Sequence, residues 1–104
     1  MLAGVIVTFE SELWTWAARR HDSWTFVSLP GEVSEEIREL TAGQVRGFGS
    51  VRVRVTVGGS VWPTSIFPDS KRGVYALPIK AAVRRAEHLE PGDTLVVAVE
   101  LRDF

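Results

Sequence analysis

Trp24-Thr25-Phe26-Val27-Ser28-Leu29-Pro30 and Val74-Tyr75-Ala76-Leu77-Pro78 decide the fold of this chain. Each is an aromatic-bearing extended stretch closed by Leu-Pro. Each is followed by a short helical pattern and then by a valine-rich strand pattern. The two prolines lie 48 residues apart, nearly half of the 104-residue chain. A strand–helix–strand unit this small cannot bury its own apolar face, whereas two copies packed together can. Closing their strands into a barrel also removes exposed edges. The expected fold class is α+β, mainly β: a small barrel with two short helices, built from two pseudo-repeated strand–Leu-Pro–helix–strand units.

Outward from the first copy, Ser34 is placed to cap a helix, with Glu35 and Glu36 in its positively polarised first turn. Val33, Ile37 and Leu40 form its core stripe and Gly43 its stop. Val51, Val53, Val55 and Val57 alternate with Arg52, Arg54 and Thr56, which predicts a strand with valines inward and arginines outward. Gly58-Gly59 predicts a tight hairpin into a strand over Ser60–Phe67. Pro63 within that strand has no amide to donate, so an edge or a bulge is expected there.

Around the second copy, Ile79–Glu87 reads as a helix with Ile79, Val83 and Ala86 as its apolar stripe. Pro91-Gly92-Asp93 then turns into a last strand, Thr94–Arg102. At the N-terminus, Val5, Val7 and Phe9 alternate as a strand does, and extended character continues to about Ala17. The apolar parity changes between Phe9 and Trp14, which predicts a bulge or bend near Ser11–Glu12. Arg19–Ser23 reads as a turn.

Twelve basic and thirteen acidic residues leave a formal charge of −1, with 45% apolar and 24% charged residues. These values are ordinary for one soluble domain covering residues 1–104 and give no global attraction to nucleic acid or to an anionic membrane. There is no cysteine, hence no disulfide, thiol nucleophile or thiolate metal site. Met1–Phe9 lacks a basic flank and no run approaches a membrane span, so a cytoplasmic location is expected.

Motifs of catalysis are weak. His21-Asp22-Ser23 holds the letters of a hydrolase triad, but sequence neighbours seldom converge as that mechanism requires. His21 and His88 show no metal-ligand spacing. Gly47-Phe48-Gly49-Ser50 and Gly58-Gly59-Ser60 lack the Lys-Ser/Thr ending of a phosphate loop. No pair among Glu10, Glu12, Glu32, Glu35 and Glu36 stands out as an acid–base couple. No catalytic residue, metal or cofactor is expected, and an enzyme is the least supported reading. The two helical stretches differ in sign: Glu32, Glu35, Glu36 and Glu39 stand in the first, Lys80, Arg84 and Arg85 in the second.

Several blocks together resemble one family. They are Val45-Arg46-Gly47, Gly58-Gly59, Thr64-Ser65-Ile66-Phe67-Pro68, Val74-Tyr75-Ala76-Leu77-Pro78-Ile79-Lys80, Val83-Arg84-Arg85-Ala86 and Pro91-Gly92-Asp93-Thr94. In this order and spacing, from about Val7 to Leu101, they resemble the bacterial and archaeal family called domain of unknown function 1905. The resemblance implies a partly open, double-split β-barrel, a fold shared with AbrB/MazE-type transcription regulators, and it implies no established activity. It adds weight to Ser65, Lys80 and Arg84, which sit in the recurring blocks.

The function expected from these readings is a small non-catalytic binding module. It takes an anionic ligand or a protein partner at an open barrel end, with Lys80, Arg84 and Ser65 as polar contacts and Trp62 or Tyr75 as an aromatic wall. Arg46, Arg52 and Arg54 form a second basic strip. The alternative is an AbrB-like nucleic-acid-binding regulator, which requires a continuous basic face joining that strip to the second helix. The composition disfavours it. Monomer and homodimer both remain open.

Overall fold

The computed structural model describes residues 4–17, 23–42 and 49–102. Along them run β1 (Ile6–Ala17), β2 (Ser23–Ser28), α1 (Gly31–Leu40), β3 (Val51–Val57), β4 (Ser60–Asp69), β5 (Val74–Pro78), α2 (Ala81–Ala86) and β6 (Thr94–Leu101). Of the turn expected over Arg19–Ser23, Ser23 opens β2 and the rest, with His21 and Asp22, lies outside the described residues, as do the expected Gly43 helix stop and residues 45–48 with Arg46.

The strands pair in the order β1-β2-β5-β4-β3-β6 and return to β1, so the barrel is closed. The partly open barrel of the sequence reading is corrected here. What is split is the pairing of the two long strands. β1 bonds β6 from Ile6 to Glu12 and β2 from Leu13 to Ala17. β4 bonds β3 from Ser60 to Ile66 and β5 from Phe67 to Asp69. Each changes partner midway, so the ring turns from one sheet to the next without breaking a strand.

This handover also replaces the bulge expected near Ser11–Glu12. Partners step one for one along both ladders of β1. Phe9 and Leu13 keep the same inward parity and are buried. Trp14 and Trp16 simply belong to the outer face. Pro63 lies in the half of β4 that is bonded only to β3, where a missing amide is tolerated.

The repeat is larger than the sequence pattern indicated. Exchanging β1-β2-α1-β3 with β4-β5-α2-β6 carries β1–β2 pairing onto β4–β5 and β1–β6 pairing onto β4–β3. The β2–β5 and β3–β6 ladders map onto themselves. At the pseudo-twofold the Leu29 amide donates to the Tyr75 carbonyl, and the Ile79 amide donates to the Thr25 carbonyl, each at 2.9 Å. The helix starts, Gly31 and Ala81, are 50 residues apart, so the two Leu-Pro pairs are out of register by two. Pro30 directly precedes α1, whereas Pro78 ends β5 and Lys80 directly precedes α2.

Val51, Val53, Val55 and Val57 of β3 are buried inside the ring with Leu95, Val97, Val99 and Leu101 of β6. Burying each such side chain contributes roughly 1.5–3 kcal/mol relative to leaving it exposed. Gly58 alone of the hairpin pair adopts a left-handed φ of 56°. The Glu87 carboxylate reaches over this turn and accepts from Ser60 Oγ at 2.7 Å.

Both helices depart from expectation at their ends. α1 starts at Gly31, with Pro30 (φ −57°) as its N-cap, so Ser34 is not the cap. Proline's fixed φ suits the entry to a helix, and Ser34 is buried one turn inside it. Leu40 is 37% exposed instead of packed in the core. α2 is shorter than the predicted 79–87: Ile79 is still extended and bonded to β2, and Ala86 faces solvent. His88, at φ 55°, ends the helix. The Leu89 amide donates to the Arg84 carbonyl at 2.9 Å and the His88 amide to the Arg85 carbonyl at 3.4 Å, a left-handed C-terminal cap. No helix among the described residues is long and apolar enough to cross a membrane.

Candidate functional site

The side chains singled out from the sequence fall into three places. Trp62 and Tyr75 are 5% and 4% exposed and pack in the barrel core. Their inward parity, shared with Ile66 and Leu77, puts them there. They form no wall of either hollow discussed below.

Ser65 and Arg52 face each other across the β3–β4 ladder on the outside of the barrel. They line a shallow depression of about 750 Å³ together with Pro63, Phe67, Glu100 and Arg102. Arg54 stands next to this row, but its Nε donates to Glu100 Oε1 at 2.8 Å, and this carboxylate neutralises it. Arg52 and Arg102 make no ion pair among the described residues. Arg46, the third member of the expected strip, lies outside the described residues.

Lys80 and Arg84 occupy a different hollow, a groove of about 320 Å³ between the start of β2 and the start of α2. Its aromatic side is Trp24, 58% exposed, and its floor includes Thr25 and Ile79. The structure therefore places Arg52 in one hollow and Lys80 and Arg84 in another.

The floor of the groove is held by the pseudo-twofold pairing. Thr25 Oγ1 donates to the Ile79 carbonyl at 2.9 Å, adding a side-chain bond to the one between the Ile79 amide and the Thr25 carbonyl. This double tie fixes where α2 leaves the sheet, and hence where Lys80 and Arg84 stand beside Trp24.

The two halves differ most at the fourth residue of each helix. In α1 that residue is Ser34, whose Oγ donates to the Leu29 carbonyl at 3.3 Å and accepts from the Tyr75 amide at 3.0 Å. In α2 it is Arg84, whose Nε is buried without a hydrogen-bond partner among the described residues. One half closes its barrel end with a satisfied hydroxyl. The other places an unsatisfied cationic donor there.

Trp24 was not among the residues assigned to a wall from the sequence. The available signal was parity: Trp24 and Phe26 alternate with the buried Thr25 and Val27, which marks the indole as outward. Trp24 continues a row of aromatic side chains across β1 and β2. Trp16 pairs with Trp24 and Trp14 with Phe26 across the ladder. The Trp14–Phe26 rings stack at 5.0 Å, and the Arg72 guanidinium sits 3.8 Å from the Trp14 ring centre.

Arg72 is oriented by Asp69. The Asp69 carboxylate accepts from Arg72 Nη1 at 3.0 Å and from the Lys71 and Arg72 amides at 3.1 and 3.3 Å. Burial raises the pKa of this carboxyl, but the bonds from Arg72 and Lys71 outweigh it and hold the group below its ordinary value. Among the described residues no group of three His, Asp or Glu side chains is arranged to hold a metal ion.

The family model described as domain of unknown function (DUF1905) matches residues 9–99, most of the chain and nearly all of the barrel. The chain belongs to this family. No curated protein matches it. The family's description names no activity.

Proposed function

We propose that this DUF1905 domain is a small non-catalytic binding module, and that it takes an anionic ligand in the groove lined by Trp24, Thr25, Lys80 and Arg84. The observation that carries this reading is the buried, unpartnered Nε of Arg84 beside Lys80 and an exposed indole. Buried polar groups are nearly always bonded, and one left without a partner points to a missing ligand or water. Neither Lys80 nor Arg84 makes an ion pair among the described residues, so both charges are available to a carboxylate or phosphate. Ser65 and Arg52 belong to the separate outer depression and take no part in this groove. The cysteine-free sequence suits the reducing cytoplasm, where we place the protein.

A thermal-shift screen of carboxylate- and phosphate-bearing metabolites tests the reading. At least one anion raises Tm by several degrees in the wild type, since ligand at about 100 times Kd adds about 2.7 kcal/mol. The shift disappears in Lys80→Ala/Arg84→Ala. No shift with any anion, or equal shifts in both proteins, overturns the proposal.

A further inference from the structure

The groove is one end of a longer surface. On the outer face of β1 and β2, Trp16 and Trp24 are 49% and 58% exposed, with ring centres 6.0 Å apart and planes inclined by 60°. Trp24 lies 6.3 Å from Phe26, which stacks on Trp14. Pro78 pairs with Phe26 on the next strand and continues the apolar row. Cations stand at both ends of the aromatic row: Arg72 over Trp14, and Lys80 and Arg84 beside Trp24.

A core does not require this arrangement, because the interior is already filled by aliphatic side chains with Phe9, Trp62 and Tyr75. Tryptophan left half in water is costly unless it covers something, and clustered exposed aromatics mark binding surfaces. The charge pattern narrows the partner. Flat apolar rings bordered by Lys80 and Arg84, which make no ion pair among the described residues, complement a chain of flat rings on a negative backbone, whereas an apolar protein partner gives Lys80 and Arg84 nothing to bond. Aromatic platforms bordered by cations are how proteins hold single-stranded nucleic acid without reading its sequence.

We propose that the outer β1–β2 face binds single-stranded nucleic acid, with bases stacking on Trp16 and Trp24 and phosphates taken by Lys80 and Arg84. The proposal rests on the groove reading only for its Lys80 and Arg84 phosphate contacts. Duplex is a poor fit, because its bases are already stacked on one another and leave no free ring face for Trp16 and Trp24.

The test is fluorescence anisotropy with labelled oligo(dT) and oligo(U) of about ten nucleotides, against a duplex of equal length, at about 20 mM salt and upward. Single strands bind, the duplex binds much more weakly, and tryptophan emission is quenched. Trp24→Ala and Trp16→Ala each weaken binding by roughly five- to a hundred-fold, as loss of one stacked base does. Trp24→Phe restores most of it. Both indoles are outside the core, so unchanged far-UV circular dichroism verifies that the variants fold. Lys80→Ala makes the slope of log K against log salt shallower by about 0.7, one phosphate contact on a single strand.

No binding at low salt, equal binding of duplex, or unchanged affinity in both tryptophan variants overturns the proposal. So does a dimer in sedimentation that Trp16→Ala/Trp24→Ala dissociates, because the face then belongs to a second copy. The two readings fail separately. If small anions bind through Lys80 and Arg84 but oligonucleotides do not, the groove stands and the platform falls. If oligonucleotides bind but no small anion shifts Tm through Lys80 and Arg84, the groove reading falls and the platform stands.

Discussion

Asp69 shows how one side chain can set another at a distance from the core. Its carboxylate gathers the Lys71 and Arg72 amides and the Arg72 guanidinium, and this places the cation on the Trp14 ring. Because the Asp69 pKa is lowered in the folded protein, the contact contributes stability above the unfolded-state value, about 3.9. That contribution is lost as pH falls through the lower, folded value. Acid titration of the native protein therefore shows a tryptophan emission change at a pH below about 4, as Arg72 leaves Trp14. Asp69→Asn removes that step. A step of the same size and midpoint in the variant shows that Asp69 does not hold the cation.

At this same scale the sequence was legible where a residue's role depends on its immediate neighbours. Val-Arg alternation over Val51–Val57 states its own inside and outside, and the structure follows it at every position from Val51 to Val55. Ser34 was not legible as a buried bridge, because its partner amide, Tyr75, is 41 residues away. Nothing near Ser34 distinguishes a bridge from a cap. Trp62 and Tyr75 looked suited to a ligand wall for their chemistry, but strand parity outranks chemistry and sends both inward. Trp24 has the same chemistry and the opposite parity.

At the scale of elements, helix α1 is seated by Ser34 and α2 by the Thr25–Ile79 tie. Ser34→Ala leaves the buried Tyr75 amide and the Leu29 carbonyl each short of a bond. This costs about 1–3 kcal/mol, the penalty of unsatisfied buried polar groups, and is measured by the midpoint of urea unfolding at unchanged m-value. A loss below about 0.5 kcal/mol, within the range of ordinary surface changes, means that α1 is held by packing alone. The Leu-Pro motif located both helices but misplaced their starts. Proline fits equally the N-cap of α1 and the last residue of β5, since the same fixed φ serves both, so the motif marks an element boundary without saying which side it lies on.

For the whole molecule, the pairing order means that neither half can be satisfied by itself. β1 finds β6 across most of the chain's length, β2 finds β5, and β3 is bonded to both β4 and β6. Deleting Thr94–Phe104 takes a partner from β1 and from β3 at once. The truncated chain loses its sheet signal in circular dichroism and shows no cooperative melt, since the ring is the smallest unit in which all strands are paired. A native-like spectrum with a sharp melt contradicts this. Two copies in a barrel were readable from the repeated element order. The midway change of partner in β1 and β4 was not, because hydrophobic parity records which face is buried and is silent on which neighbour supplies the bonds.

The β1–β6 ladder has one more consequence. Ile6 is paired with Glu100, so the first residue of β1 and the last rungs of β6 meet at the same end of an antiparallel pair. Tension applied between these two points acts across the hydrogen bonds one rung at a time, as in opening a zipper, and never loads them together in shear. A barrel that resists heat as one unit is thus mechanically soft along this line: a modest pull between the outer ends of β1 and β6 peels them apart, and the ring opens at the seam that closes it.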